Sequence, residues 1–227
     1  MKTIVVLPAY NAAKTVAGVV GQIPETVSEI ILVDDASSDR TVEVARSLPV
    51  TVVAHPVNKG YGANQKTCYN LALEHNADAV IMLHPDGQHD PLALSDFIKL
   101  LSEESYSAVY GSRMYSLKNN DAKAPWWRYL SNIALSFFAN RLLGASLTDW
   151  HTGYRGYTKS LLQSIDYNNF PDGFEFDTHM TTSIVKKGIK IKELYVPAIY
   201  SSDSSSISFI RSVKYGFNFV FNVIRKS

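Results

Sequence analysis

At 227 residues, 46% of them hydrophobic, the chain is long enough to bury a sizeable core and has the composition of an ordinary soluble globular protein. Its formal charge of +1 argues against a nucleic-acid protein held by bulk electrostatics. Cys68 is the only cysteine, so an intrachain disulfide is excluded and a reducing, cytoplasmic setting is the default.

The apolar, β-branched run Thr3 to Leu7 reads as a strand buried on both faces, broken by Pro8-Ala9-Tyr10-Asn11. This start lacks the long apolar core of a signal peptide. Ala12 to Ile23 has helical spacing. Glu29 to Val33 is a second buried strand, ended by Asp34-Asp35-Ala36-Ser37-Ser38-Asp39. Ser38 or Asp39 is placed to cap a helix over Arg40 to Leu48. Val50 to Ala54 is a third strand, and His55 to Gly62 a glycine-bearing loop before a helix to about Asn76. Ala79 to Leu83 is a fourth strand. It leads into His84-Pro85-Asp86-Gly87-Gln88-His89-Asp90-Pro91 and a helix over Leu92 to Leu101. This alternation predicts a mostly parallel sheet flanked by helices.

Ser107 to Arg113 is the next strand, followed by a polar stretch and a long helix over Pro125 to Leu143. Leu147 to Tyr157 reads as a strand pair or turn-strand, Phe174 to Lys187 as a helix, and Ile189 to Val196 as a last strand. No repeat or linker is visible, so residues 1–227 are expected to form one domain, with 203–227 an amphipathic C-terminal helix. No apolar stretch reaches the roughly 20 residues that span a bilayer. The aromatic, basic tail and Trp126-Trp127 fit a helix lying on an anionic membrane surface; packing on the core, on a second copy or on a membrane-protein partner are the alternatives.

Polar or glycine-bearing loops fall at the carboxyl ends of the strands, where open α/β sheets bind ligands. On the fourth of them, Asp86 and Gln88 offer oxygen ligands at alternate positions of a tight turn. That arrangement suits Mg2+ or Mn2+ held against a diphosphate.

Leu7-Pro8-Ala9-Tyr10-Asn11, Val33-Asp34-Asp35-Ala36-Ser37-Ser38-Asp39, Asn58-Lys59-Gly60-Tyr61-Gly62, His84-Pro85-Asp86-Gly87-Gln88 and Thr152-Gly153-Tyr154-Arg155 resemble, in this order, the motifs of family 2 glycosyltransferases of the GT-A fold. The branch it looks most like transfers sugars to polyprenyl (dolichyl) phosphates. That resemblance implies a GT-A, Rossmann-like nucleotide-binding sandwich. It also implies an inverting transfer from a UDP- or GDP-linked sugar with a divalent metal, at the inner membrane face. It puts Pro8, Ala9, Tyr10 and Asn11 around the nucleobase, with Asp34 and Asp35 on base or ribose and Lys59, Gly60 and Gly62 beside the nucleotide. Asp86 and Gln88 match the metal-binding pair.

The family usually carries a second aspartate where this chain has His84. That histidine is read as touching ribose or metal in the carboxylate's place; a packing role and a weakened metal dependence are the other readings. Arg113, Arg128 and Ser131 resemble residues that hold an acceptor phosphate, although the branch spaces its arginine and serine by four and here they are three apart. A guanidinium and a hydroxyl on one helix face suit a phosphate; a snorkelling Arg128 is the alternative. Arg155 is a further site candidate. Asp149 and Asp177 are candidate general bases with Glu175 third, and helix capping or a pair with Arg155 is the alternative for each. Three rivals remain. Transfer to a sugar hydroxyl in glycan assembly needs such a base. A nucleotidyltransferase would want a glycine-rich basic loop after the first strand. A catalytically dead nucleotide-binding homologue is the third.

Overall fold

The computed structural model describes residues 1–103, 106–113 and 126–196, the side chains of 126–131 excepted. A seven-stranded sheet runs in the order β3-β2-β1-β4-β6-β5-β7. Its strands are β1 (Thr3–Ala9), β2 (Glu29–Asp34), β3 (Thr51–Ala54), β4 (Ala79–Met82), β5 (Ala108–Ser112), β6 (Arg155–Thr158) and β7 (Ile191–Tyr195). The helices are α1 (Val16–Val20), α2 (Thr41–Arg46), α3 (Tyr61–Glu74), α4 (Leu94–Ser102), α5 (Trp126–Leu143), α6 (Lys159–Ser164) and α7 (Phe176–Lys186).

Alternate residues of each strand face opposite sides of the sheet. In β1, Ile4 and Val6 join one core with Cys68, Tyr69, Phe176 and Met180 from α3 and α7. Val5 and Leu7 join a second core with Val16, Ala45, Phe97 and Leu101 from α1, α2 and α4. The mostly parallel, helix-flanked α/β sandwich expected from the sequence is therefore present. Pro8 sits inside β1, whereas the sequence suggested a break there. The partner β4 pairs only with Thr3 to Val6, so the missing N–H of Pro8 leaves no ladder bond on that side unmade.

One strand departs from the pattern. β6 runs antiparallel to β4 and β5, with Arg155 opposite both Met82 and Tyr110. It therefore begins at the edge where β1, β2, β4 and β5 end. Thr152-Gly153-Tyr154-Arg155 is thereby brought beside the turn that follows β4. The sequence suggested only a strand pair or turn-strand here, and it did not indicate α6. That short helix is capped by the Thr158 hydroxyl, which accepts from the Leu161 N–H at 3.3 Å. The 203–227 helix, the membrane-facing tail and Trp126-Trp127 side chains lie outside what is described. Among the described residues no helix is long and apolar enough to cross a membrane.

Candidate active site

The first two loops are tied to each other. Asp34 accepts from the Ser37 N–H at 2.9 Å and from the Ser37 hydroxyl. The same hydroxyl receives the Asn11 N–H at 2.8 Å, while the Asn11 carboxamide receives the Ser38 N–H at 2.9 Å. Asn11 and Ala36 hold left-handed φ values of 54° and 58°, so this pairing is bought with local backbone strain. The N-cap of α2 is Arg40, one residue later than expected, and Asp39 supports the helix start from the position before it by accepting from the Thr41 N–H at 2.9 Å. Pro8 and Ala9 are buried at the strand end, while Tyr10 is 56% exposed and presents an aromatic face there.

Asp35 is buried and organises the third loop. Its Oδ1 lies 2.8 Å from His55 Nδ1 and accepts from the Lys59 N–H at 2.9 Å; its Oδ2 accepts from the Gly60 N–H at 2.9 Å. An ionised carboxylate has about four acceptor positions, so most of its capacity is spent on the loop. Gly60 and Gly62, expected to let the chain approach a nucleotide, also make room for a close approach within the protein itself. A Cβ on Gly60 would stand 2.8 Å from the Asp172 carbonyl oxygen, and one on Gly62 would stand 2.7 Å from that of Pro171. Lys66 ties the same segment down through the Phe170 carbonyl and, at 2.8 Å, the Asp172 carboxylate. The Lys59 side chain is exposed.

On the fourth turn, Asp86 Oδ1 accepts from the Gln88 N–H at 2.9 Å, so the carboxylate and the Gln88 backbone are locked together. Thr15 holds the turn from α1 by donating to the Pro85 carbonyl at 2.5 Å. Gly87 takes φ +73°, with open space where a Cβ would be. Asp90 caps the short 3-10 turn Pro91–Ala93 that precedes α4, accepting from the Leu92 N–H at 2.9 Å. His89 is buried against Tyr154, its Nδ1 without a partner among the described residues; burial first, then the Arg113 charge, push its pKa down to about 3.

His84 sits between β6 and α3. A Cβ on Gly153 would fall 2.5 Å from His84 Nε2, so the glycine of Thr152-Gly153-Tyr154-Arg155 is what makes room for the ring. That same Nε2 is 3.2 Å from the Tyr61 hydroxyl, and the two rings stack at 5.7 Å. Tyr61 in turn donates to Asp177 Oδ2 at 2.9 Å, and Gln65 donates to Asp177 Oδ1 at 3.2 Å. Tyr61 and Gln65 carried no sequence expectation. The available signal was an aromatic between two glycines at a helix start, one turn before a glutamine.

The remaining candidates divide sharply. Arg155 is fully buried. It donates to the carbonyls of Thr152 at 2.7 Å, Asp177 at 3.0 Å and Trp150 at 3.2 Å, and stacks on Tyr110 at 4.6 Å. Burial alone would lower its pKa, but the Asp177 charge and the surrounding tyrosines hold it well above the ordinary arginine value. It staples α7 to the start of β6 and has no surface to offer a ligand. Asp149 is also fully buried and takes Arg113 Nε at 2.8 Å and Nη2 at 3.1 Å, with Asn132 at 3.1 Å. Its burial would raise the pKa, yet the Arg113 guanidinium and these hydrogen bonds hold it well below the usual carboxylate range. Arg113 keeps 23% of its side chain exposed at the end of β5. Glu175, at the start of α7, is partly exposed, and no described residue donates a hydrogen bond to its carboxylate. The backbone of α5 carries Arg128 and Ser131, but their side chains lie outside the described residues.

A mostly parallel sheet with polar loops and a carboxylate turn at its strand ends has the architecture of the GT-A fold. The family model "Glycosyl transferase family 2" matches residues 4–166, and the chain belongs to that family and is a glycosyltransferase. It is 28% identical over 217 residues to the UDP-N-acetylglucosamine–dolichyl-phosphate N-acetylglucosaminyltransferase of Methanococcus voltae, covering 88% of this chain and 86% of that one. It is 27% identical over 202 residues to the undecaprenyl-phosphate mannosyltransferase of Micrococcus luteus, covering 86% and 82%. Among solved structures, glucosyl-3-phosphoglycerate synthase from Mycobacterium tuberculosis, in complex with Mn2+, UDP and glucosyl-3-phosphoglycerate, superposes with a TM-score of 0.70 at 19% identity, over 98% of this chain and 78% of that chain. That last likeness is one of fold.

Proposed function

We propose that the protein transfers a sugar, with inversion, from a nucleotide-diphospho-sugar to a polyprenyl phosphate at a membrane surface. One observation carries the choice of acceptor: the candidate bases Asp149 and Asp177 are both consumed by the fold. Asp149 is neutralised by Arg113 and Asp177 is held by Tyr61, Gln65 and the nearby Arg155. A hydroxyl acceptor needs a base to take its proton, whereas a phosphate acceptor arrives ionised and needs only positioning. Arg113, partly exposed and fixed by Asp149, is a suitable positioning group for that phosphate. In this reading Asp149 orients Arg113 and does no proton chemistry.

The donor side follows the strand ends. Tyr10 offers a stacking face to the base, with Pro8, Ala9, Asn11, Asp34 and Asp35 shaping the wall around it. Lys59 is available to the phosphates. Among the described residues no three His, Cys, Asp or Glu side chains gather closely enough to hold a metal unaided. That fits a cation that keeps few protein ligands, here Asp86 and Gln88 with His84, and completes its shell with diphosphate and water. When bound, it would neutralise charge on the leaving diphosphate. Asp86 and Gln88 would hold the cation at the strand end, and the acceptor oxygen attacks the anomeric carbon from the side opposite the leaving diphosphate.

The hydroxyl-acceptor reading has one observation in its favour, that no described residue donates a hydrogen bond to the Glu175 carboxylate. Radiolabelled UDP- and GDP-sugars offered with native membrane lipids, followed by organic extraction, test the proposal. Label in the lipid phase is expected. Label confined to water-soluble or polymeric glycan with every donor would contradict it.

A further inference from the structure

We infer that Tyr61 is a positioning residue that sets the tautomer of His84, so that His84 offers the Nδ1 lone pair, and not Nε2, to the cation. The inference rests on the proposed role of the 84–88 turn. The logic is one of protons. A carboxylate only accepts, so the single hydroxyl proton of Tyr61 is committed to Asp177 Oδ2, 2.9 Å away. The Tyr61 oxygen is then an acceptor toward His84 Nε2, 3.2 Å away, and a neutral imidazole meets it with Nε2–H. The lone pair of the ring therefore resides on Nδ1, the nitrogen on the Cβ side and nearer the turn's own backbone. No described residue donates to Nδ1, and the atom is not sealed from solvent.

Further features of the packing keep this arrangement in place. Gln65 and Arg155, at 3.2 and 3.6 Å, hold the other oxygen of Asp177. Tyr61 is stacked between His84 at 5.7 Å and Phe174 at 5.0 Å, so its hydroxyl has little freedom to turn away. Gly153 leaves Nε2 the room it needs, since a Cβ there would collide with it. The chain thus reproduces, around a histidine, the outer-shell support that ligating imidazoles take from a hydrogen-bond acceptor on the opposite nitrogen. An imidazole nitrogen also favours Mn2+ over Mg2+, which prefers oxygen.

Protein carrying nitrogen-15 histidine, examined by long-range nitrogen–proton correlation at about pH 8.5, above the ordinary histidine range, reads the tautomer directly. The expected wild-type pattern is the Nε2–H form, with Mn2+ and UDP broadening the His84 signals. Tyr61→Phe keeps the ring stack and removes the acceptor, so a mixture of tautomers and about tenfold weaker Mn2+ binding by electron paramagnetic resonance are expected. Two side-chain amides give a second handle. His84→Asn places a polar atom where Nδ1 stands and should keep Mn2+ affinity within about threefold, whereas His84→Gln places it where Nε2 stands and should lose about tenfold or more. An Nδ1–H tautomer in the wild type, or equal Mn2+ affinity in His84→Asn and His84→Gln, overturns the inference and leaves the sugar-transfer reading intact. Absence of Mn2+ binding to the wild type with UDP present overturns both.

Discussion

Two sets of carboxylates stand near the carboxyl ends of the strands, and they are built for different ends. Asp35, Asp149 and Asp177 are buried, and each is engaged by several donors or cations of the protein. Their charge is spent on holding a loop, an arginine and a tyrosine in place. Asp86 sits half-buried on a turn, with one oxygen tied to the Gln88 N–H and no described donor on the other. A carboxylate that keeps an oxygen open at a strand end is available to a cation; one saturated by the fold is part of the frame. The difference is one of hydrogen-bond accounting, and residue type alone does not reveal it.

Substitutions on either side of that division should fail differently. Asp86→Asn is expected to cost the most in turnover, several kcal/mol of charge stabilisation on the leaving group, or roughly a thousandfold, with thermal stability unchanged. Steady-state kinetics beside a melting curve checks both halves. Asp177→Ala should do the reverse. It leaves Arg155 buried without its counter-charge, a loss of about 3–5 kcal/mol, which for a chain of this size lowers the melting temperature by on the order of 10 °C. A melting temperature within about 2 °C of the wild type would mean that Asp177 is not part of the frame.

His89 supplies a smaller, pH-dependent effect. Its folded-state pKa is depressed to about 3, while the unfolded chain takes up the proton near 6.5. The unfolded state therefore binds more protons throughout that window, so stability is full above about pH 6.5 and falls as pH drops toward 3. Denaturant melts at several pH values should show a shallower decline in His89→Gln than in the wild type. The smallest effect is expected for Glu175→Gln. Loss of a general base costs on the order of a hundredfold or more, so a change of only about threefold would remove the last candidate for that role.

The division explains why part of this site was legible from residues and part was not. Strand-end loops announce themselves to within a residue or two, because apolar runs such as Ile4 to Leu7 and Ala79 to Leu83 mark the buried strands, although β1 continues through Pro8 to Ala9. That Asp86 and Gln88 share one turn could be read because they are two residues apart in the chain. Arg155 could not. Its burial depends on carbonyls of Trp150, Thr152 and Asp177 and on the Tyr110 ring, contacts that arise only once β6 turns antiparallel between β4 and β5. Gly60 and Gly62 were legible as glycines with a purpose, but the purpose lay about 110 residues away in the Pro171–Phe176 segment. Tyr61 was hidden for the same reason: its partners His84 and Asp177 are 23 and 116 residues distant.

The choice between an ionised and a hydroxyl acceptor is tested most directly by offering one labelled nucleotide sugar with a polyprenyl phosphate and, separately, with the same polyprenol lacking the phosphate. A site whose buried carboxylates are committed to the frame should glycosylate the phosphate and leave the alcohol untouched. Comparable transfer to the alcohol, abolished by Glu175→Gln, would contradict that and establish a base-dependent hydroxyl transferase in its place.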